Sequence, residues 1–70
     1  MEGIKVTLEA ARVNAKLTQD EMAKRLHVTK QTLVNWEKYR SEPTVSQARE
    51  ISEIVDMPLD CIIFMPKKSN

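Results

Sequence analysis

Residues 18–37, Thr-Gln-Asp-Glu-Met-Ala-Lys-Arg-Leu-His-Val-Thr-Lys-Gln-Thr-Leu-Val-Asn-Trp-Glu, hold two helix patterns joined by a turn of almost no length. Each pattern has its own start signal. Thr18 is followed three residues on by Glu21, the reciprocal capping box that satisfies two free backbone N–H groups at a helix start. Leu17 before that cap and Met22 after it match a hydrophobic staple, and Met22, Ala23 and Leu26 form the buried stripe. Thr29 repeats the logic with Val28 and Leu33, and Leu33 and Trp36 anchor the second helix inward. Two caps and two staples in so short a stretch define both helix boundaries. Opposite Leu33 and Trp36, the second helix carries Lys30, Gln31 and Asn35. Long amide and amine side chains on a firmly anchored helix are the types that read base edges in a DNA major groove.

The flanking sequence reads as three further short helices and no strand. Thr7 caps a helix over about Leu8–Ala15, with Leu8, Ala11 and Ala15 at helical spacing and Ile4 packed beneath them. After Pro43, Thr44 and Gln47 form another capping box, and Val45, Ala48, Ile51 and Val55 give the fourth helix its apolar stripe. Pro58 opens a brief fifth helix to about Ile63, containing Leu59, Ile62 and Ile63 and followed by Phe64. The expectation is therefore an all-α, compact five-helix domain spanning residues 1–70, with its core over about 4–64 and a tail at 65–70. The tail from Pro66 to Asn70 reads as frayed.

Composition narrows the function. A chain of 70 residues buries only about 60% of its unfolded surface, enough for one small domain. With 41% apolar residues a compact core is expected rather than disorder. No apolar run is long enough for a membrane span. The N-terminus is too mixed for a signal peptide, so the expected location is the cytoplasm. Cys61 is the one cysteine and reads as a buried structural thiol, and His27 is the one histidine, so neither a disulfide nor a zinc site is expected. No Cys/His or Ser/His pairing has local support, which argues against an enzyme, and no cofactor is expected.

The net charge of +1 conceals an uneven distribution. Residues 22–41 carry Lys24, Arg25, Lys30, Lys38 and Arg40 against Glu37, hence +4. Residues 42–63 carry Arg49 against Glu42, Glu50, Glu53, Asp56 and Asp60, hence −4. A basic third beside an acidic third is the polarity expected when one face meets phosphates, although such a block alone also describes a solvated surface.

The combination Leu17-Thr18-Gln19 with Glu21 and Ala23, then Val28-Thr29 with Gln31-Thr32-Leu33, Trp36-Glu37 and Ser41-Glu42-Pro43, resembles the lambda-repressor-like or Cro/XRE helix-turn-helix domains. Asp56-Met57-Pro58-Leu59-Asp60 resembles that family's entry into its last helix, so the likeness runs from about Ile4 to Phe64. It implies a recognition helix over about 30–38, with Thr29, Lys30, Gln31, Val34 and Asn35 at its DNA-facing positions. Gln or Asn suits adenine, Lys suits guanine, and Val34 suits a thymine methyl. Gln19 matches a phosphate contact at a helix N-terminus, where the dipole also favours an anion. Lys38 and Arg40 match backbone clamps, whereas Lys24 and Arg25 turn away from the recognition face. Arg12 and Glu37 match a pair that this family uses as a structural ion pair; two separate surface charges are the alternative.

The family usually places glycine at helix exits, where the corresponding residues here are Lys16, His27, Tyr39 and Asp56. His and Asp enter the left-handed region more readily than most residues, and Tyr39 is the least secure of the four. Tyr39 has two readings, packing over the core or a hydroxyl on phosphate beside Lys38 and Arg40. The resemblance implies a phage or bacterial transcriptional regulator, Cro-like or a compact repressor, acting as a homodimer on a two-fold DNA operator. Ile62, Ile63, Phe64 and Met65 are the candidate dimer surface, unless they close the domain's own core and dimerisation is weak or DNA-induced. The rival function is a protein-interaction module on the same fold, such as an antitoxin, working through the acidic fourth helix.

Overall fold

In the computed structural model, residues 4–65 are described. Four α-helices carry the fold: α1 Leu8–Asn14, α2 Gln19–Leu26, α3 Lys30–Glu37 and α4 Val45–Val55. Each begins behind a threonine in an extended conformation. The hydroxyls of Thr7, Thr18, Thr29 and Thr44 accept from the backbone N–H of Ala10, Glu21, Thr32 and Gln47 at 3.0–3.1 Å. In α2 and α4 the box is closed from the other side, with the Thr18 and Thr44 N–H groups donating to Glu21 Oε1 and Gln47 Oε1, both at 2.8 Å. These bonds to Thr18 hold the Glu21 carboxyl below its usual pKa, first through the backbone N–H and then through the hydroxyl.

The helix exits are equally uniform. Lys16, His27, Tyr39 and Asp56 all have positive φ, between 55° and 63°. The residue after each one donates its N–H back to the carbonyl five positions earlier: Leu17 to Arg12, Val28 to Ala23, Arg40 to Asn35 and Met57 to Ser52, at 2.8–3.2 Å. This is the Schellman closure, in which a left-handed residue lets the last turn satisfy its own carbonyls. Four such exits are made without glycine, Tyr39 included. At the last, Ser52 Oγ also donates to the Met57 carbonyl at 2.6 Å.

The helices close around Leu8 and Ala11 from α1, Met22, Ala23 and Leu26 from α2, Leu33 and Trp36 from α3, and Ile51 and Val55 from α4. Leu17 and Val28, the residues before the two central caps, pack against this core. Leu33 is completely buried. Truncating such a leucine to alanine typically costs about 2–5 kcal/mol.

The chain ends differ from the sequence-based expectation. The fifth helix is a single 3₁₀ turn, Leu59–Cys61, so the α-helices number four among the described residues. Strands are present too: β1 Val6–Thr7 pairs in parallel with β2 Ile62–Ile63, placing Val6 opposite Ile62 and Thr7 opposite Ile63. The reason is local. A helix of so few residues does not repay its nucleation cost, and consecutive β-branched isoleucines favour an extended, half-buried edge. Ile62 enters the core at 6% exposure, while Cys61 is only half-buried. Ile4, expected beneath α1, is 80% exposed, and Val6 packs against the core instead. Helix α1 ends at Asn14 and α3 at Glu37, with Lys38 as its C-cap. The expected frayed tail at 66–70 lies outside the described residues.

Left-handed geometry costs an ordinary residue about 1–2 kcal/mol, and glycine offsets part of that gain through a more flexible unfolded chain. Lys16 is exposed. Lys16→Gly is therefore expected to raise the unfolding free energy by about 0.5–1 kcal/mol. Urea denaturation reads this directly, and an unchanged or lower midpoint would contradict relief of strain at that exit.

Candidate nucleic-acid interface

The position of α3 is set by a buried charge. Glu37, the last residue of α3, has a side chain only 3% exposed, and Arg12 of α1 meets it from a site 9% exposed. Arg12 Nε donates to Glu37 Oε2 at 2.6 Å, and its Nη2 reaches Oε1 at 3.4 Å. The remaining terminal nitrogen, Nη1, donates to the Leu17 carbonyl at 2.8 Å. Gln19 Nε2, at the first residue of α2, donates to Glu37 Oε1 at 2.9 Å. One carboxylate thus collects donors from α1 and α2, and the same guanidinium holds the connection between them. The ionised groups are hydrogen-bonded as well as paired, which is what makes their burial tolerable.

With Leu33 and Trp36 turned inward, α3 presents its other side to solvent. Thr29, Lys30 and Gln31 are exposed, while Thr32, Val34 and Asn35 are half-buried. Gln31 Nε2 donates to Asn35 Oδ1 at 3.0 Å, one turn further along the helix. Lys30 Nζ lies 3.9 Å from Asp20 Oδ2 of α2, an exposed pair. Pairs of this kind contribute about 0–1 kcal/mol, so Lys30 remains available to another anion or acceptor. Thr29 and Thr32 share a hydroxyl–hydroxyl hydrogen bond of 2.8 Å, consistent with roles at the helix start.

Lys38 and Arg40 follow α3 on the exposed surface, with half-buried Tyr39 between them in the left-handed exit. Lys24 and Arg25 are exposed near the end of α2. At the other extremity, Ile63 and Phe64 are half-buried and Met65 is 37% exposed. Ile62 is in the core and is not available as surface. Gln19, expected at a phosphate, gives one amide N–H to Glu37 Oε1 and keeps a second. The contact of Arg12 with the Leu17 carbonyl had no signal in the sequence, because it depends on how the α1 exit folds back.

The helix-turn-helix family model matches residues 8–60, from α1 through nearly all of the 3₁₀ turn. The chain belongs to the XRE, or lambda-repressor-like, helix-turn-helix family. A comparison with curated proteins finds no match. As a member of that family, this XRE-type domain is a DNA-binding regulator. In it, α2 and α3 are the helix-turn-helix pair, joined by His27-Val28-Thr29. Among the described residues, no helix is long and apolar enough to cross a membrane, and no three His, Cys, Asp or Glu side chains gather as a metal site.

Breaking a buried pair strands its partner without compensation. Arg12→Ala is expected to destabilise the XRE-type domain by about 3–5 kcal/mol. The double variant Arg12→Met with Glu37→Met removes both charges and should recover much of that loss. Equilibrium unfolding of the single and double variants decides the matter. A single-variant cost below about 1 kcal/mol would mean that the pair behaves like a surface bridge.

Proposed function

We propose that this chain is a sequence-specific transcriptional regulator that inserts α3 into the major groove and acts as a homodimer on a two-fold operator. The observation that carries this reading is the polar face of exposed Lys30 and Gln31 and half-buried Asn35, on a helix whose opposite face is fixed in the core by Leu33 and Trp36. Thr29, Lys30, Gln31, Val34 and Asn35 face the bases. Lys30 suits the adjacent acceptors of guanine, Gln31 the acceptor–donor edge of adenine, and Val34 a thymine methyl. Lys38, Tyr39 and Arg40 lie along the DNA backbone, supplying affinity and register without reading sequence. Gln19 joins them through its second amide proton and the free N–H groups at the start of α2.

Dimerisation follows from the size of the contact. One small recognition module buries only about 600–1,000 Å² on DNA, which limits the specificity of a single copy. Two copies on one DNA face would place their half-sites about 34–36 Å apart. Ile63, Phe64 and Met65 offer the partly exposed apolar surface for that contact, with Ile62 supporting it from the core.

Selection of bound fragments from random DNA is expected to yield a two-fold symmetric site. Two variants then separate the proposed roles. Lys38→Ala should weaken binding to all sequences alike and make the log–log salt dependence shallower by about 0.9 for each phosphate that Lys38 neutralises. Lys30→Ala should erase preference at one position in each half-site, leaving the others intact. Failure of the wild-type chain to enrich any sequence, or binding that does not respond to salt, would contradict the proposal. Retained binding of a protein partner by these variants would then favour an interaction module.

A further inference from the structure

We infer that Gln31 and Asn35 form one interlocked reader, in which Asn35 fixes the Gln31 amide for adenine and itself addresses an acceptor edge, with guanine first. This rests on the DNA-reading role of α3 and specifies what two of its residues recognise. Its basis is the 3.0 Å hydrogen bond from Gln31 Nε2 to Asn35 Oδ1 on the exposed side of the helix.

A primary amide has two N–H donors and one carbonyl acceptor with two lone pairs. Gln31 commits one N–H to Asn35. Its second N–H and its Oε1 remain as an adjacent donor and acceptor, the combination that matches adenine N7 and N6–H. The bond to Asn35 also opposes a turn of the Gln31 amide alone, because that would set Gln31 Oε1 against Asn35 Oδ1. Asn35 is in the opposite position. Its Oδ1 is turned to Gln31 and holds that donor on one lone pair, so what it offers most freely to DNA is the Nδ2 donor group. A donor alone fits N7 and O6 of guanine, or O4 of thymine, better than the two-way edge of adenine.

Asn35 is well placed to act as the fixed member. It is half-buried, and its carbonyl accepts the Arg40 N–H at 2.8 Å in the α3 exit, which holds its backbone. Gln31 is exposed and has the longer side chain, so it gains more order from the bond. Four residues span about 6 Å of helix, or one to two base-pair steps of about 3.4 Å. The two preferences should therefore fall at adjacent or nearly adjacent positions of a half-site.

The test is selection from random DNA with the full chain, as wild type and as Gln31→Ala, Asn35→Ala and Asn35→Asp, with circular dichroism confirming that each variant is folded. Gln31→Ala identifies the position that Gln31 reads. Asn35→Ala is expected to reduce the adenine preference there by roughly tenfold, besides removing its own preference for an acceptor base. Asn35→Asp keeps an acceptor for Gln31 but has no donor. It should retain adenine at the Gln31 position and change the neighbouring preference to cytosine, whose N4 donates. Preferences that vary independently, with Asn35→Ala leaving the Gln31 position unchanged, would overturn the interlock while leaving the DNA-reading role standing. Loss of the adenine preference in Asn35→Asp would also overturn it. Absence of any selected sequence with wild type would instead strike the underlying role.

Discussion

A carboxylate in the last turn of a helix faces the negative end of the helix dipole, and a carboxylate removed from water carries a further cost. Glu37 bears both burdens at the end of α3. Arg12 and Gln19 make the arrangement stable by supplying the charge and the hydrogen bonds that water would otherwise provide. The consequence is positional. Donors to one carboxylate come from α1 and from the first residue of α2, so α3 cannot rotate about its axis without abandoning them. The outward direction of Lys30, Gln31 and Asn35 follows from that restraint together with the inward anchors Leu33 and Trp36. A helix proposed to read bases has to hold its side chains to within a fraction of a base-pair step, and this buried network is a restraint of that kind.

Gln19 has a structural role that is observed and a DNA-backbone role that is proposed. Its Nε2 serves Glu37 from inside, while the residue sits at the N-terminus of α2, where backbone N–H groups favour an anion. A phosphate drawn to that point would lie beside a side chain already tied to the end of α3. Under the proposed function, contact with the DNA backbone and placement of α3 would be coupled through a single amide. The charge distribution works in the same direction, with Lys38 and Arg40 next to α3 and the exposed Glu50 and Glu53 on α4.

Much of this was legible in the sequence because helix starts and helix faces are local properties. Thr18 with Glu21, Thr44 with Gln47, and the spacing of Leu33 and Trp36 specify their elements without reference to distant residues. The ends of the chain were read less well. The run Cys61-Ile62-Ile63-Phe64 is too short for periodicity to separate helix from strand, and its partner, Val6-Thr7, lies at the other end of the sequence. The exposure of Ile4 has the same origin, since pairing of Val6 with Ile62 turns Val6 inward. In the candidate site, the face of α3 was evident from spacing. The bond between Gln31 and Asn35 and the inward turn of Gln19 were not, because both depend on how flexible amides settle among their neighbours. The four helix exits taught a further point: glycine is the usual solution for a left-handed residue, but backbone closure holds Lys16, His27, Tyr39 and Asp56 there as well.

The proposal requires that the network around Glu37 present α3 as the surface that meets DNA. Amide and side-chain NMR shifts of the labelled chain, followed during titration with its selected operator, test this most directly. The largest changes are expected at Lys30, Gln31, Val34 and Asn35, with a second group at Gln19 and Lys38–Arg40 and little response at Glu50 and Glu53. Changes centred on α4, with the exposed face of α3 silent, would contradict it.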